Sequence, residues 1–395
     1  MQARSAFHSA IPVLLVGTLL GCGSSSGTGP GAMNVHLVDG PSTLFSKVTI
    51  EVTQLEIHGP ADQWTTLATF PGGKVIDNLL GLTNGIDELL VSGFGLPAGH
   101  YDQMRLLLGA GNSVTLADGS VQPLKVPSGM QSGLKFPVSF DVAPGTTRDV
   151  FIDLDANRSV FVHRAGRSGQ YILRPVIHAV DRLVTGSVTG RLTAADGTTG
   201  LGGVDVMAET VDASGHPSIF SHATTAADGT YTIALLPQGV PYHVVAQPVL
   251  PQATPPDLVY GAAASGPIVL TEAAPIATWS QSFTLATAVG ALGGAITPVT
   301  TDASGDEVLV EQTFPAPPLA SPTTLVVRYL EPTVDDSVTP ASESYAATDL
   351  PAGGYDVVLL RTTTDASGVA TVTSTDAGAV SVVGGVTATV DIAVP

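Results

Sequence analysis

The sequence predicts an all-β protein, with three consecutive β-sandwich modules that follow a signal peptide and a flexible linker. Short runs of alternating apolar and polar residues recur along the chain, and helical periodicity is nearly absent. Forty-four glycines and 29 prolines separate these runs, a composition typical of sandwiches with many turns. With 44% hydrophobic and 12% charged residues, the chain has enough apolar material to bury a core.

The chain begins like a secreted protein. Arg4 is followed by an apolar stretch over residues 11–20, and the small residue Gly21 precedes Cys22, the single cysteine. A basic start, a short apolar core and a small residue before the cut are typical of a secretory signal peptide. The four residues that end in Cys22 resemble the bacterial lipobox. This resemblance implies that residues 1–21 are removed and that the Cys22 thiol is acylated.

Lipid is the membrane attachment that the sequence predicts. The apolar stretch is about 15 Å long as a helix, half of the roughly 30 Å bilayer core, and no later segment reaches ~18 uninterrupted apolar residues. Residues 22–31 are predicted to form a Gly/Ser linker. Gly23 after the cysteine favours the outer membrane, by the sorting rule of well-studied Gram-negative bacteria. The protein would then face the periplasm or the cell surface.

Charge and cysteine usage exclude several partners and bonds. Removal of the segment before Cys22 leaves 14 Lys and Arg against 34 Asp and Glu, a net charge near −20. Such a surface repels phosphate backbones and anionic membrane faces, so no nucleic acid is expected, and acyl chains are the expected membrane contact. A chain with one cysteine has no intramolecular disulfide, so burial and backbone hydrogen bonds must hold the fold.

Several elements can be placed individually. Alternating patterns predict strands at residues 47–52, 148–154 and 158–163. Asp-Gly pairs predict tight turns at residues 118–119, 196–197 and 228–229. A short helix is predicted only at residues 86–90.

One motif recurs once in each predicted module: an apolar residue, a Pro/Gly turn and a tyrosine that opens a strand. It occupies residues 96–102, 236–242 and 350–356. Proline presets φ, glycine allows an open backbone, and tyrosine packs its ring while its hydroxyl reaches the rim. The sequence Asp-Ala-Ser-Gly also recurs, at residues 212–215, 302–305 and 365–368, where Asp can close a turn. The repeats predict sandwiches with similar local structure.

The first predicted module, residues 32–183, carries a distinctive series of motifs. They are Val35 to Asp39, Trp64 before a threonine pair, and residues 75–80, 126–135, 153–160 and 171–175. In this order they resemble the DUF4382 family of bacterial, mostly lipid-anchored proteins, over about 150 residues. The family name denotes an uncharacterised function, so the resemblance implies no catalytic role.

The second predicted module, residues 186–287, carries a different series of motifs. Residues 186–192, 202–206 and 224–233, with the Leu-Pro turn after them, are similar to the carboxypeptidase regulatory-like domain, a transthyretin-like sandwich. The resemblance implies a β-module for interaction or spacing, with carbohydrate binding as an analogy at the level of fold. The third predicted module, residues 288–395, has the same late layout and is expected to be an immunoglobulin- or transthyretin-like sandwich.

Catalytic patterns are weak. Residues 23–27 fit G-x-S-x-G, but a nucleophile elbow needs a strand before it and a helix after it, and here a linker follows the anchor. Ser132 and Lys135 fit S-x-x-K in a Gly-rich region that leads into a β-run. The nine histidines are scattered, without H-E-x-x-H. We therefore expect no catalytic residue, no metal ligand and no cofactor.

Asp153 and Asp155 are the one pair of acids with a spacing that suggests a site. They share a strand face and could offer two oxygens to Ca²⁺, although no calcium-loop pattern surrounds them. Arg158 or Arg174 could equally pair with them. A structural polar network is the preferred interpretation, and calcium stays open.

A sandwich that binds polysaccharide needs exposed aromatic side chains on one face, and aromatics make up 5% of this chain. Trp64, Tyr260, Trp279 and Tyr329 are the candidate platforms, with core packing expected for each. The sequence thus predicts a lipid-anchored, non-enzymatic cell-envelope protein with a binding, adhesion or structural role. Its expected partner is a glycan or an envelope protein. Carbohydrate binding through the second module is the main alternative, and a hydrolase is the other.

Overall fold

The all-β prediction is confirmed. A computed structural model describes residues 30–39, 45–60, 62–82, 86–126, 133–165, 168–173, 176–181, 185–252, 256–299, 304–316, 319–335, 338, 340–364 and 370–395. Within these ranges, helical structure is confined to a 3₁₀ turn, Leu79–Gly81, and one α-helical turn, α1, Ala156–Ser159. Everything else of regular structure is strand.

The strands fall into three groups along the chain, called units below. The first unit, residues 31–181, contains β1 (Gly31–Val38), β2 (Lys47–Gly59), β3 (Gln63–Ile76), β4 (Glu88–Leu96), β5 (Gly99–Leu108), β6 (Ser113–Thr115), β7 (Val121–Lys125), β8 (Leu134–Val142), β9 (Thr147–Asp155), β10 (Val160–Ala165), β11 (Ser168–Leu173) and β12 (Val176–Asp181). The second unit, residues 185–283, contains β13 (Thr185–Ala194), β14 (Asp205–Val211), β15 (Pro217–Thr224), β16 (Thr230–Pro237), β17 (Pro241–Ala246), β18 (Val249–Leu250), β19 (Leu258–Val259), β20 (Ala263–Ala264), β21 (Ile268–Val269), β22 (Ile276–Thr278) and β23 (Gln281–Phe283). The third unit, residues 289–393, contains β24 (Val289–Thr297), β25 (Ser304–Phe314), β26 (Thr323–Leu330), β27 (Thr333–Asp335), β28 (Ser342–Pro351), β29 (Gly353–Thr364), β30 (Ala370–Val382), β31 (Thr387–Thr389) and β32 (Ile392–Ala393).

All three units share one pairing pattern. The opening strand (β1, β13 or β24) pairs antiparallel with the strand before the Leu-Pro turn (β4, β16 or β28). It also pairs in parallel with β9 in the first unit and with the closing strands of the other two units (β22 and β23; β31 and β32). In the second sheet, β2, β14 and β25 each pair antiparallel with the next strand and with the strand after the Leu-Pro turn. The third unit therefore has the strand topology of the second.

Local sequence explains most of these elements. The predicted strand at residues 47–52 lies in β2, where Val48, Ile50 and Val52 are fully buried on one face. The predicted Asp-Gly turns are confirmed, because Gly119, Gly197 and Gly229 all have positive φ. Of the Asp-Ala-Ser-Gly copies, residues 212–215 form a turn. The second half of the copy at 302–305 begins β25 and its first half lies outside the described residues, as does the whole copy at 365–368.

The predicted helix at residues 86–90 is wrong. Ile86 and Asp87 have no regular structure, and β4 begins at Glu88. Leu89 lies opposite His36 on β1, so pairing with the opening strand decides the conformation of a segment too short to form a stable helix alone. The predicted strand at residues 158–163 is confirmed from Val160 onward, since the residues before it form α1.

The repeated tyrosine motif forms the same hydrogen bond in each unit. The hydroxyls of Tyr101, Tyr242 and Tyr355 donate to the carbonyl oxygens of Pro97, Pro237 and Pro351 at 2.9, 3.2 and 2.7 Å. Each ring is at most 3% exposed, so the hydroxyl closes the Pro/Gly turn from within the core. The prediction of similar local structure in all three units is confirmed at these turns.

The units are joined to one another as well as built alike. The β10–β11 hairpin pairs with β7 of the first unit on one side and with β27 of the third unit on the other. Met207 and Val245 of the second unit lie in one apolar cluster with Leu309 and Val326 of the third. The module boundaries expected at residues 32–183, 186–287 and 288–395 remain a prediction.

Candidate functional site

The anchor and the weak catalytic patterns are not part of the described structure. Cys22, the glycine-flanked serines at residues 23–27, and Ser132 lie outside the described residues, and Lys135 lies exposed on β8. Among the helices that the structure describes, none has the length and apolar character needed to cross a membrane. The predicted acylation site therefore remains a prediction.

Asp153 and Asp155 lie at the end of β9, where the structure brings a third acid to them. The parallel pairing of β1 with β9 places Val38 opposite Asp153, so Asp39 follows directly beside the end of β9. The Asp39 Oδ1 atom accepts a hydrogen bond of 2.8 Å from the backbone N–H of Ala156, the first residue of α1. The structure thus places three acids together where the sequence predicted two.

The second unit adds a histidine and a fourth acid. The His222 Nδ1 atom on β15 lies 2.7 Å from Asp205 Oδ1 on β14, and its Nε2 atom lies 3.4 Å from Asp155 Oδ1. The side chains of His222 and Asp155 are 2% and 6% exposed, so this contact is sealed from solvent. Tyr329 of the third unit packs edge-on against the His222 ring, with centroids 6.2 Å apart. All three units therefore meet here.

We call Asp39, Asp153, Asp155, Asp205 and His222 the junction cluster. Asp39 Oδ2, Asp153 Oδ1 and His222 Nε2 are buried and have no hydrogen-bond partner among the described residues. Burial, and the charge of neighbouring Asp155, raise the pKa of Asp153 to about 7. Burial also raises the pKa of Asp39 well above its ordinary value. The cluster is therefore a place where acids hold protons at neutral pH.

His222 behaves in the opposite way to most buried histidines. Burial alone lowers the pKa of its imidazole, but the charges of Asp205 and Asp155 outweigh burial and raise the pKa well above the ordinary value. Its ring is then a cation between two carboxylates. No group of three or more His, Cys, Asp or Glu side chains in the described part of the chain is arranged to hold a metal ion.

Sequence reasoning found two members of the junction cluster and missed three. Asp39 follows β1, Asp205 begins β14 and His222 lies within β15, and nothing in the sequence around them shows that they come together. The side chains of Arg158 and Arg174, which were the alternative partners for Asp153 and Asp155, lie outside the described residues. His222 is a described partner of Asp155.

The aromatic candidates pack rather than line up on a surface. Tyr260 is 6% exposed, and Trp279 and Tyr329 are half-buried against the apolar clusters of their units. Trp64 is half-buried on the outer face of β3, where the Arg105 guanidinium lies 4.5 Å from its ring centroid. The expected packing role is confirmed for Tyr260, Trp279 and Tyr329.

An open groove of about 670 Å³ lies on the third unit. It is lined by Gln312, Thr313, Gly354, Tyr355, Asp356, Ala379, Val380 and Ser381. Beside it, Glu311 lies directly opposite Asp356 in the sheet. Burial, followed by the charge of Asp356, raises the pKa of Glu311 to about 7.

Comparison with solved structures finds distant similarities. The Bacillus anthracis TIE protein is 12% identical, with 93% of this chain and 51% of that protein covered and a TM-score of 0.20, so the chain spans about half its length. The Streptococcal ancillary pilin is 11% identical, with 92% and 99% covered and a TM-score of 0.20. The fimbrial anchor protein Mfa2 from Porphyromonas gingivalis is 11% identical, with 48% and 81% covered and a TM-score of 0.18. Similarities at these TM-scores carry no argument for this chain.

Sequence comparison is informative for one part of the chain. No curated protein sequence matches it. Residues 30–175 match the family model of the domain of unknown function DUF4382, which covers most of the first unit and confirms the resemblance seen in its motifs.

Proposed function

We propose that this protein is a lipid-anchored, non-enzymatic component of the bacterial cell envelope that serves binding, adhesion or structural spacing. Acyl chains on Cys22 would hold it in the membrane, with the outer membrane favoured by Gly23. The linker at residues 22–31 would set the β-units off from the lipid. Its partner would be a glycan or a protein of the envelope.

The observation that carries this proposal is the physical joining of the units. Glu209 Oε2 of the second unit accepts a hydrogen bond of 2.9 Å from the backbone N–H of Val326 in the third unit. Arg328 of the third unit donates to the side-chain oxygen of Gln247 in the second. These polar contacts hold the second and third units together, which a protein that acts as a structural spacer requires.

Carbohydrate binding through the second unit has less support. A polysaccharide platform needs aromatic rings open to solvent, and the six aromatic residues of the second unit, all within its described residues, are buried or half-buried. They are Phe220, Tyr231, Tyr242, Tyr260, Trp279 and Phe283. A glycan partner would therefore have to be recognised by polar groups.

The anchor is tested by metabolic labelling with palmitate. The wild-type chain and a Ser24→Ala control should both incorporate label and fractionate with membranes. Cys22→Ser should incorporate none and should leave the membrane fraction. Label that persists in Cys22→Ser would contradict acylation at this thiol.

The role of the units is tested by binding. The mature chain carrying Cys22→Ser, purified without acyl chains, is presented to envelope extracts and to a glycan panel. Retention of a defined envelope protein or glycan supports a binding role, and retention of neither supports spacing alone. Turnover of a substrate, such as hydrolysis of an ester or glycoside panel, would overturn the non-enzymatic proposal.

A further inference from the structure

The charges of the junction cluster do not balance when every acid is ionised. Among the described side chains of the cluster, four carboxylates accompany one imidazole, which contacts Asp155 and Asp205. Two of the carboxylate oxygens, on Asp39 and Asp153, are buried without a hydrogen-bond partner among the described residues. A buried anion without a partner strongly disfavours the folded state, and it is neutralised by taking up a proton. The arrangement is therefore stable only when it holds more protons than free side chains would.

The cluster spans a boundary between units, so its protonation bears on how the units are held. Asp39, Asp153 and Asp155 belong to the first unit, whereas Asp205 and His222 belong to the second. The His222 imidazolium is the described link between them, through Asp155 on one side and Asp205 on the other. The contact with Asp155, at 3.4 Å, is an ion pair without a hydrogen bond, and such a pair attracts more strongly where water is excluded.

We infer that the junction cluster is a proton-dependent clasp, which holds the second unit against the first at acidic pH and loosens as the pH rises through neutrality into the alkaline range. With protons on Asp39, Asp153 and His222, the cluster carries two carboxylates against one cation. Loss of those protons leaves four carboxylates and a neutral ring, and the like charges repel across the boundary.

The direction follows from the raised pKa values. A carboxyl whose pKa is higher in the folded state binds its proton more tightly there, so its effect on stability worsens as the pH rises from the unfolded value. For Asp153 this window runs from about 4 to about 7. The contribution of His222 is present below its ordinary pKa and is lost as the pH rises through the raised value. Both effects lower the stability of the folded state as the pH rises.

Other ionisable groups lie on the elements packed against the cluster. Tyr329 on β26 contacts the His222 ring, and His178 on β12 is the register partner of Asp153. The side chains of His178 and of Arg158 in α1 lie outside the described residues. Substitution of Asp39 and Asp153 by asparagine isolates their own titration, because it removes one ionisable carboxyl at a time and keeps the shape.

The first test follows the melting temperature of the mature chain between pH 5 and pH 9. We expect the wild-type Tm to fall over this range. Asp153→Asn and Asp39→Asn should each reduce that fall and raise the Tm at pH 9 by about 2 °C or more over wild type. Asp118→Asn, which changes an exposed turn acid, is the matched control and should keep the wild-type pH dependence. Asparagine variants at 39 and 153 with the wild-type pH dependence would overturn the proposal.

The second test locates the effect. Hydrogen–deuterium exchange, corrected for the intrinsic pH dependence, should show loss of protection at alkaline pH at the Ala156 amide and in β14 and β15, but not in β2. His222→Gln should melt lower than wild type at pH 5 and approach it at pH 9. An offset for His222→Gln that is equal at both pH values, or protection lost uniformly along the chain, would contradict a clasp at this boundary.

Discussion

The Tyr231 hydroxyl donates a hydrogen bond of 2.7 Å to the carbonyl oxygen of Trp279, across a glycine on the strand between them. That glycine, Gly190, lies opposite Tyr231 in the sheet, and the tyrosine ring lies over it. The third unit repeats the arrangement, where Tyr345 lies opposite Gly294 and donates to the Val390 carbonyl oxygen at 2.6 Å. The opening strand lacks a side chain at the one place where a ring must pass over it.

This relationship makes both glycines essential to the sandwich. A Cβ at Gly190 would overlap the carbonyl oxygen of Trp279, and one at Gly294 would overlap that of Val390. Gly190→Ala and Gly294→Ala should each lower the free energy of unfolding by about 3 kcal/mol or more, because backbone must move. Gly354→Ala, where the space is open, is the control, with an expected change within about 0.5 kcal/mol. Urea unfolding measures all three, and equal effects would contradict the account.

The tyrosine hydroxyls at the Leu-Pro turns should each contribute a measurable bond. Tyr355→Phe removes the donor to Pro351 and leaves the ring in the core. We expect a loss of about 1 kcal/mol in the free energy of unfolding, with a similar loss for Tyr101→Phe. Denaturant unfolding with an unchanged m-value would measure it. Phenylalanine variants as stable as wild type would show that the repeated hydroxyl has no structural role.

Removal of one partner of the buried ion pair in the third unit should strongly lower the free energy of unfolding. The Arg361 Nε atom donates to Asp306 Oδ1 at 2.8 Å, and both side chains are at most 10% exposed. Arg361→Met removes the cation that faces the buried carboxylates of Asp306 and Glu343 and should cost about 3–5 kcal/mol. The double variant Asp306→Asn/Arg361→Met should recover part of that loss. A double variant less stable than the sum of the two single changes would contradict the pairing.

Glu311 should make the third unit more stable at low pH. Its pKa is raised to about 7 by burial and by Asp356, so the folded state loses stability as the pH rises from about 4.5 to about 7. Glu311→Gln should therefore be more stable than wild type above pH 7, by about 1–3 kcal/mol, and equal to it near pH 4. Unfolding at a series of pH values measures this. A difference that is constant with pH would be inconsistent with titration of Glu311.

The fold class could be predicted because alternation and turn residues are local signals. The alternation of Val48, Ile50 and Val52 predicts one buried face of β2. The Leu-Pro turns predict a packed tyrosine, and the structure shows its hydroxyl bonded to the proline carbonyl oxygen. The segment at residues 86–90 could not be assigned from its own sequence, because its conformation depends on pairing with His36 and its neighbours on β1. Register between distant strands leaves no mark in either strand alone.

The junction cluster shows the same limit at the level of the site. Asp153 and Asp155 stand out because they alternate on one strand. Asp39 reaches them only through parallel pairing, and His222 only through the packing of a second unit. Neither contact has a local sequence signal, because the residues are far apart in the chain. Asp39 lies 114 positions before Asp153, and His222 lies 67 positions after Asp155.

The three units should unfold as one joined body, because the β10–β27 pairing, the shared apolar cluster and the contact at His222 connect them. Differential scanning calorimetry of the mature chain tests this most directly. The account predicts one cooperative transition near neutral pH, with calorimetric and van't Hoff enthalpies in agreement. Three separate transitions, each with the enthalpy of a single unit, would contradict it.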